Sequence, residues 1–167
     1  MNLNLFFTPT DILLPAHADM RRWSVIACDQ FTADAGYWQA VQDTVCDAPS
    51  TLRLMLPEFY LGKCDEAAAT RAIQQTMHAY LDSGVFRTVP HSLVLVQRTL
   101  PGGAVRCGVV GALDLEAYDY APDSVTPIRA TEGTVASRLP ARVRIRAAAA
   151  LEMPHISPSR RARSFAV

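Results

Sequence analysis

The sequence predicts an α+β fold: a mixed sheet with an antiparallel hairpin, flanked by two to three helices. Three observations carry that expectation. Two segments place apolar residues at helical spacing behind an aspartate suited to cap them. Two apolar runs flank Pro101-Gly102-Gly103, a turn that would return the second strand antiparallel to the first. Hydrophobic residues make up 50% and charged residues 19% of the 167, a balance that excludes a disordered chain. A chain of this length has room for one domain burying roughly 70% of its unfolded surface.

From the N-terminus, Leu5 to Phe7 and Ile12 to Leu14 are short apolar runs broken by Pro9 and Pro15, which suits edge strands. Trp23 to Cys28 is rich in strand formers and ends at Asp29-Gln30. Asp34 then caps a helix whose Tyr37, Trp38, Val41 and Val45 share one face, and Ala48-Pro49-Ser50 stops it. Thr51 to Leu56 alternates and reads as a strand. Asp65 caps the clearest helix, with Ala69, Ile73, Met77, Tyr80 and Leu81 as its stripe and Gly84 as its terminator. Leu93 to Arg98 and Ala104 to Leu113 are the hairpin strands, with Val105, Cys107, Val109, Gly111 and Leu113 on one face. Leu115 to Tyr120 reads as a short turn or helix, and Ala121 to Pro127 as a loop. Pro140 suits the first position of a last helix containing Arg142, Ile145 and the run Ala147 to Ala150. Residues 157–167 lack periodicity and read as a disordered tail, which sets residues 1–156 apart as the domain.

The formal net charge is zero, but the charge is unevenly spread. Residues 1–128 carry 8 basic and 14 acidic side chains, a net of −6, and residues 129–167 carry 8 and 2, a net of +6. Such asymmetry implies either an anionic partner for the C-terminal part or an acidic surface elsewhere in the same chain. Within the basic part lies Ile128-Arg-Ala-Thr-Glu-Gly-Thr-Val135, followed by Arg138, Arg142, Arg144 and Arg146. Guanidinium forks suit carboxylates and phosphates, so Arg129 and Arg138 are candidate phosphate clamps. Thr131 and Thr134 would add hydroxyls, Glu132 a base or metal ligand, and Gly133 a close backbone approach. The alternative is a plain loop in which Glu132 pairs with Arg129 and Arg138. Asp29 and Gln30, at a strand end, are candidate substrate anchors, or else belong to an ordinary turn.

Other signals are weaker. His17, His78, His91 and His155 are scattered, and neither a glycine-rich phosphate loop, a serine elbow nor a zinc signature is present. No resident metal is expected. Arg142, Arg144 and Arg146 lack interleaved aromatics, so nucleic acid is not the expected partner. Cys28, Cys46, Cys64 and Cys107 form no close pairs, Met1 to Thr10 has no basic signal region, and no apolar run spans a bilayer. These features lead to the expectation of a cytoplasmic protein with free thiols.

The ordered motifs Ile12-Leu-Leu-Pro15, Trp23-Ser-Val-Ile-Ala-Cys-Asp-Gln30, Ala48-Pro-Ser-Thr-Leu-Arg-Leu54, Val110-Gly-Ala-Leu-Asp-Leu-Glu116, Ile128 to Val135 and Leu151-Glu-Met-Pro-His155 resemble the bacterial and archaeal family called domain of unknown function 1015. The likeness runs from about residue 10 to residue 156. The family pattern is longer and later carries a box that looks like the phosphate-handling motif of the ParB/sulfiredoxin superfamily, which includes nucleotide-dependent serine kinases. That box is absent here, and the pattern gives way at Ser157. The resemblance therefore implies the N-terminal part of a cytoplasmic phosphate- or nucleotide-handling enzyme, a small-molecule phosphotransferase using ATP or ADP with Mg. On that reading Glu132 and Asp29 are catalytic, Arg129, Thr131, Thr134, Arg138 and Gln30 bind a small phosphorylated molecule, and the part alone is inactive. The rival readings are a non-enzymatic nucleic-acid or regulatory binding module and a non-functional fragment that self-associates through exposed sheet.

Overall fold

Asp65 starts the longest element: its carboxylate accepts hydrogen bonds from the N–H groups of Ala67 and Ala68, both at 3.0 Å. The computed structural model describes residues 6–25, 31, 33–121, 123–129, 133 and 135–153. Its helices are α1 (Met20–Trp23), α2 (Ala35–Val45), α3 (Glu66–Asp82) and α4 (Leu139–Arg146). Its strands are β1 (Phe7–Thr8), β2 (Thr10–Pro15), β3 (Phe86–Ser92), β4 (Val94–Thr99), β5 (Val105–Val110), β6 (Ala112–Leu113), β7 (Tyr118–Asp119) and β8 (Ile128–Arg129). The class is α+β, as the patterning predicts. The strands pair as four two-stranded ladders, β1–β6, β2–β3, β4–β5 and β7–β8, and not as one mixed sheet.

The chain divides into two compact units, residues 1–14 with 87–133 and residues 15–86 with 134–167. The second unit holds the apolar core. Trp23, Leu54, Ile73, Met77, Tyr80 and Ile145 form one buried cluster, and Met77 is fully enclosed. Met77, Ile73 and Tyr80 come from the stripe read for α3. Trp23 stacks edge-on against Phe86 with ring centroids 5.4 Å apart. The Tyr80 hydroxyl is satisfied where it is buried, accepting from the Ser50 N–H at 3.0 Å. Gly84, at φ +73°, occupies the left-handed region just past α3, where a side chain is disfavoured.

Four local readings change. Trp23 ends the one-turn helix α1, capped by Asp19 through the Arg21 N–H, so it does not open a strand. Residues 26–30 lie outside the described residues. Thr51–Leu54 forms a 3₁₀ turn and not a strand. The Ser50 hydroxyl accepts from the Leu52 N–H, and Thr51 donates its hydroxyl hydrogen to the Trp23 carbonyl at 2.8 Å. These side-chain bonds compete successfully with the extended conformation that alternation suggests. The last helix ends at Arg146, short of the Ala147 to Ala150 run, and β3, whose Pro90 breaks the expected strand pattern, went unread.

In the first unit, β4 and β5 pair antiparallel from Val94↔Val110 to Thr99↔Val105. Gly102 and Gly103, at φ +93° and +86°, make the turn between them. Gly111, which follows β5, has a different reason to be glycine. A Cβ there would sit 2.6 Å from Leu93 Cδ2, 2.7 Å from Phe7 Cζ and 2.7 Å from the Thr8 carbonyl oxygen. Two of those neighbours are flexible side chains, but the third is backbone of the paired strand β1. Gly111→Ala is expected to cost about 1–3 kcal/mol in denaturant unfolding, whereas Gly108→Ala should stay within about 0.5 kcal/mol. Gly108 is the control because its added methyl would meet nothing within 4 Å.

The α3 cap also gives the protein a pH dependence. The Ala68 N–H, supported by that of Ala67, holds the Asp65 carboxyl below the ordinary carboxylate value. A folded pKa lowered in this way adds stability that is complete above the unfolded pKa. It is lost as pH falls through the folded value, from roughly pH 4 downward. Thermal unfolding from pH 6 to pH 2 should show the gap between the native protein and Asp65→Asn shrinking as acid is added.

Candidate arginine and carboxylate site

The basic helix α4 begins after a 3₁₀ turn at Ala136–Arg138, with Pro140 in its first turn where a missing N–H costs nothing. Ala141 and Ile145 are its buried residues. Arg142 and Arg144 are two positions apart, about 200° around a helix, so they cannot point at one ligand. The contacts follow that geometry. Arg138 and Arg142 are one turn apart and both reach Glu58, at 3.0 Å to Oε2 and 3.0 Å to Oε1. Arg144 pairs with Glu66 at the start of α3, and Arg146 with Glu152. Gln74 on α3 donates through Nε2 to the carbonyls of Arg144 and Ile145 at 3.0 and 3.1 Å.

Glu58 is the centre of this arrangement. Its side chain is only 18% exposed and sits between two guanidinium groups. The Arg142 Nη2 makes a true hydrogen bond to Oε1. Oε2 is buried and close to Arg138, but that contact is an ion pair without hydrogen-bond geometry. Arg138 thus engages Glu58 electrostatically. The acidic surface that the charge asymmetry allowed is thus inside the chain: Glu58 and Glu66, from the acidic part, meet Arg138, Arg142 and Arg144 from the basic part. Neither glutamate was singled out from the sequence. The −6 surplus of residues 1–128 was the signal that could have found them.

Of the residues expected to form a phosphate site, Asp29, Gln30, Thr131, Glu132 and Thr134 lie outside the described residues, as does His155. Arg129 and Arg138 are described, and they fall in different compact units. Arg129 ends β8, paired in parallel with β7 so that Asp119 is its register partner. Its Nη1 donates to the Ser124 carbonyl at 3.1 Å. That carbonyl belongs to a tight polar turn. Ser124 is buried, its hydroxyl lies 2.8 Å from that of Thr126 and accepts the Thr126 N–H, and Thr126 donates to the Ile128 carbonyl at 3.0 Å. Asp119 is held below the ordinary carboxylate value, chiefly by the Ala121 N–H. The rest of the Arg129 fork meets no acceptor among the described residues.

No group of three or more His, Cys, Asp or Glu side chains among the described residues is placed to hold a metal ion. A cleft of about 240 Å³ lies in the second unit, lined by apolar Val25, Val41 and Val45 with Arg21 and Ser24 on its wall. It is smaller than the roughly 300–1,000 Å³ of most small-molecule sites. No helix among the described residues is long and apolar enough to cross a membrane.

The sequence model of a family described as "Protein of unknown function (DUF1015)" matches residues 9–162. The chain belongs to that family. The matched segment takes in all four helices and every described strand except β1, so the family pattern covers both compact units. Comparisons with curated proteins and with solved structures found no match.

Removing the carboxylate at the centre tests the geometry of the α4 contacts. Glu58→Gln should lower stability by about 1–2 kcal/mol, less than a fully buried pair because Arg142 is 56% exposed. The same variant should elute later from heparin than the native protein, because two guanidinium groups lose their counter-charge. Unchanged elution would show that Glu58 does not hold them.

Proposed function

We propose that this chain carries the anion-receiving part of a phosphate- or nucleotide-handling protein, a small-molecule phosphotransferase in its complete form. The observation that supports it is the state of Arg129. The arginines of α4 each answer a carboxylate, whereas the exposed Arg129 spends one N–H on the Ser124 carbonyl and meets no further acceptor among the described residues. A guanidinium anchored by one donor and open at the others is suited to a second, bidentate acceptor. On this reading Arg129 clamps the phosphoryl oxygens, with hydroxyls supplied by Thr131 and Thr134. Glu132 acts as the base, and Asp29 and Gln30 orient the accepting molecule. ATP or ADP with Mg is the proposed phosphoryl carrier, in the cytoplasm. Arg138 takes no part in the clamp while Glu58 engages it.

Thermal unfolding of the full chain with ATP, ADP or inorganic phosphate, with and without Mg, tests the proposal. A ligand at a hundredfold excess over its Kd stabilises by about 2.7 kcal/mol, which for this size raises Tm by roughly 5–10 °C. Arg129→Ala should abolish that rise, and Arg142→Ala should leave it. If no phosphate compound shifts Tm, or if Arg142→Ala removes the shift as completely as Arg129→Ala, the site is not the one proposed.

A further inference from the structure

The apolar side chains of the first unit are largely uncovered. Every buried hydrophobic residue among the described residues belongs to the second unit, and the first unit's only described buried residue is Ser124. Its β4–β5 ribbon is exposed on both faces. On one face lie Leu95 at 70%, Val109 at 52% and Val105 at 51%, together with exposed Cys107. On the other, Arg98 and Arg106 stand directly opposite each other in the ladder. Neither guanidinium has a carboxylate partner among the described residues. Like charges directly opposite on a sheet are destabilising, and a two-stranded ribbon alone is marginal in water. Both strands keep an unpaired outer edge among the described residues.

We infer that the β4–β5 ribbon is a docking edge for an extended segment of another protein in which carboxylates alternate with branched apolar residues. Added as a third strand beside β5, such a segment takes up the unpaired backbone groups. Its period of two sends apolar side chains beside Val105, Cys107 and Val109 and places a carboxylate beside Arg106, with Arg98 one strand further on along the same face. β5 is the favoured edge because β4 interrupts the apolar face with Gln97 and Thr99. Charge decides the occupant. Residues 157–167 of this chain carry Arg160, Arg161 and Arg163 and no acid, so they are repelled by the arginine pair. Two copies pairing edge to edge, in any register that keeps like faces together, gather four guanidinium groups on one face. A six-residue ribbon is also only about 20 Å long, too small for the roughly 800 Å² per partner of a stable face-to-face dimer.

The test is fluorescence anisotropy with the full chain and two labelled octapeptides, one alternating valine with glutamate and the other valine with lysine. The acidic peptide should bind, and the basic one should not. Reversing the pair with Arg98→Glu and Arg106→Glu should weaken the acidic peptide by at least about tenfold and confer binding of the basic one. A gain of binding cannot come from misfolding. N-methylation of alternate peptide amides should abolish binding, because the strand pairing is lost. Absence of binding up to about 1 mM, equal binding of both peptides, or indifference to N-methylation would overturn the inference. Sedimentation equilibrium showing a dimer that Leu95→Lys dissociates would overturn it in favour of a second copy.

Discussion

The attachment of α4 to α3 and to the turn bearing Glu58 is the constraint on which the second unit depends. Residues 134–153 return to that unit after a long excursion through the first, and nothing local brings them back. Two kinds of contact do so. Ala141 and Ile145 enter the apolar side, where Ile145 joins Met77, Ile73 and Trp23. Around that seam, Glu58 and Glu66 meet three arginines, and Gln74 satisfies two carbonyls at the end of α4 that have no partner in the helix itself. The exposed pairs are each worth little. Glu58 differs, because a carboxylate at 18% exposure has lost much of its water and needs its guanidinium neighbours. Burial supplies the affinity of α4 for its place, and the charges set its rotation about its own axis.

The same constraint accounts for part of the unevenly distributed charge. A surplus of −6 in one stretch and +6 in another looks like an attraction for something external. In the folded chain Glu58 and Glu66 answer arginines of the basic part across 78 to 84 positions of sequence, so part of that surplus cancels internally. A chain of zero net charge with its basic helix internally neutralised has little long-range field with which to steer a polyanion. Arg129 at the end of β8, and Arg98 with Arg106 on the ribbon, have no carboxylate partner among the described residues.

Much of the helical framework was legible because its signals are local. Asp34 and Asp65 each accept N–H groups one turn into their helices, and Gly84 takes the positive φ that ends α3. The hairpin was legible for the same reason, since two glycines at positive φ define the reversal. The failures share a cause. Leu52, Leu54 and Leu56 alternate, yet Ser50 and Thr51 redirect the backbone through side-chain bonds that hydropathy patterning does not register. Trp23 carries strand propensity, but Asp19 caps a helical turn in front of it. For the site, the arginines were legible as residues and not as an arrangement. A spacing of two on a helix disperses side chains, and that geometry applies only once the segment is known to be helical.

The two units also differ in what they can do. A site that discriminates among ligands needs donors held within about 0.5 Å of their working positions, and that demands a supporting shell. The first unit has no enclosed apolar cluster among its described residues to serve as that shell. Its substitute is the polar turn from Asp119 to Arg129, in which Ser124, Thr126 and the Ile128 carbonyl are tied to one another by hydrogen bonds. Arg129 is bonded into that turn and is therefore better positioned than Arg98 or Arg106, whose side chains have no such tether among the described residues. The fixed guanidinium suits a small rigid anion. The untethered pair suits an extended partner that brings its own order, since pairing with the backbone of β5 supplies the alignment that the side chains lack.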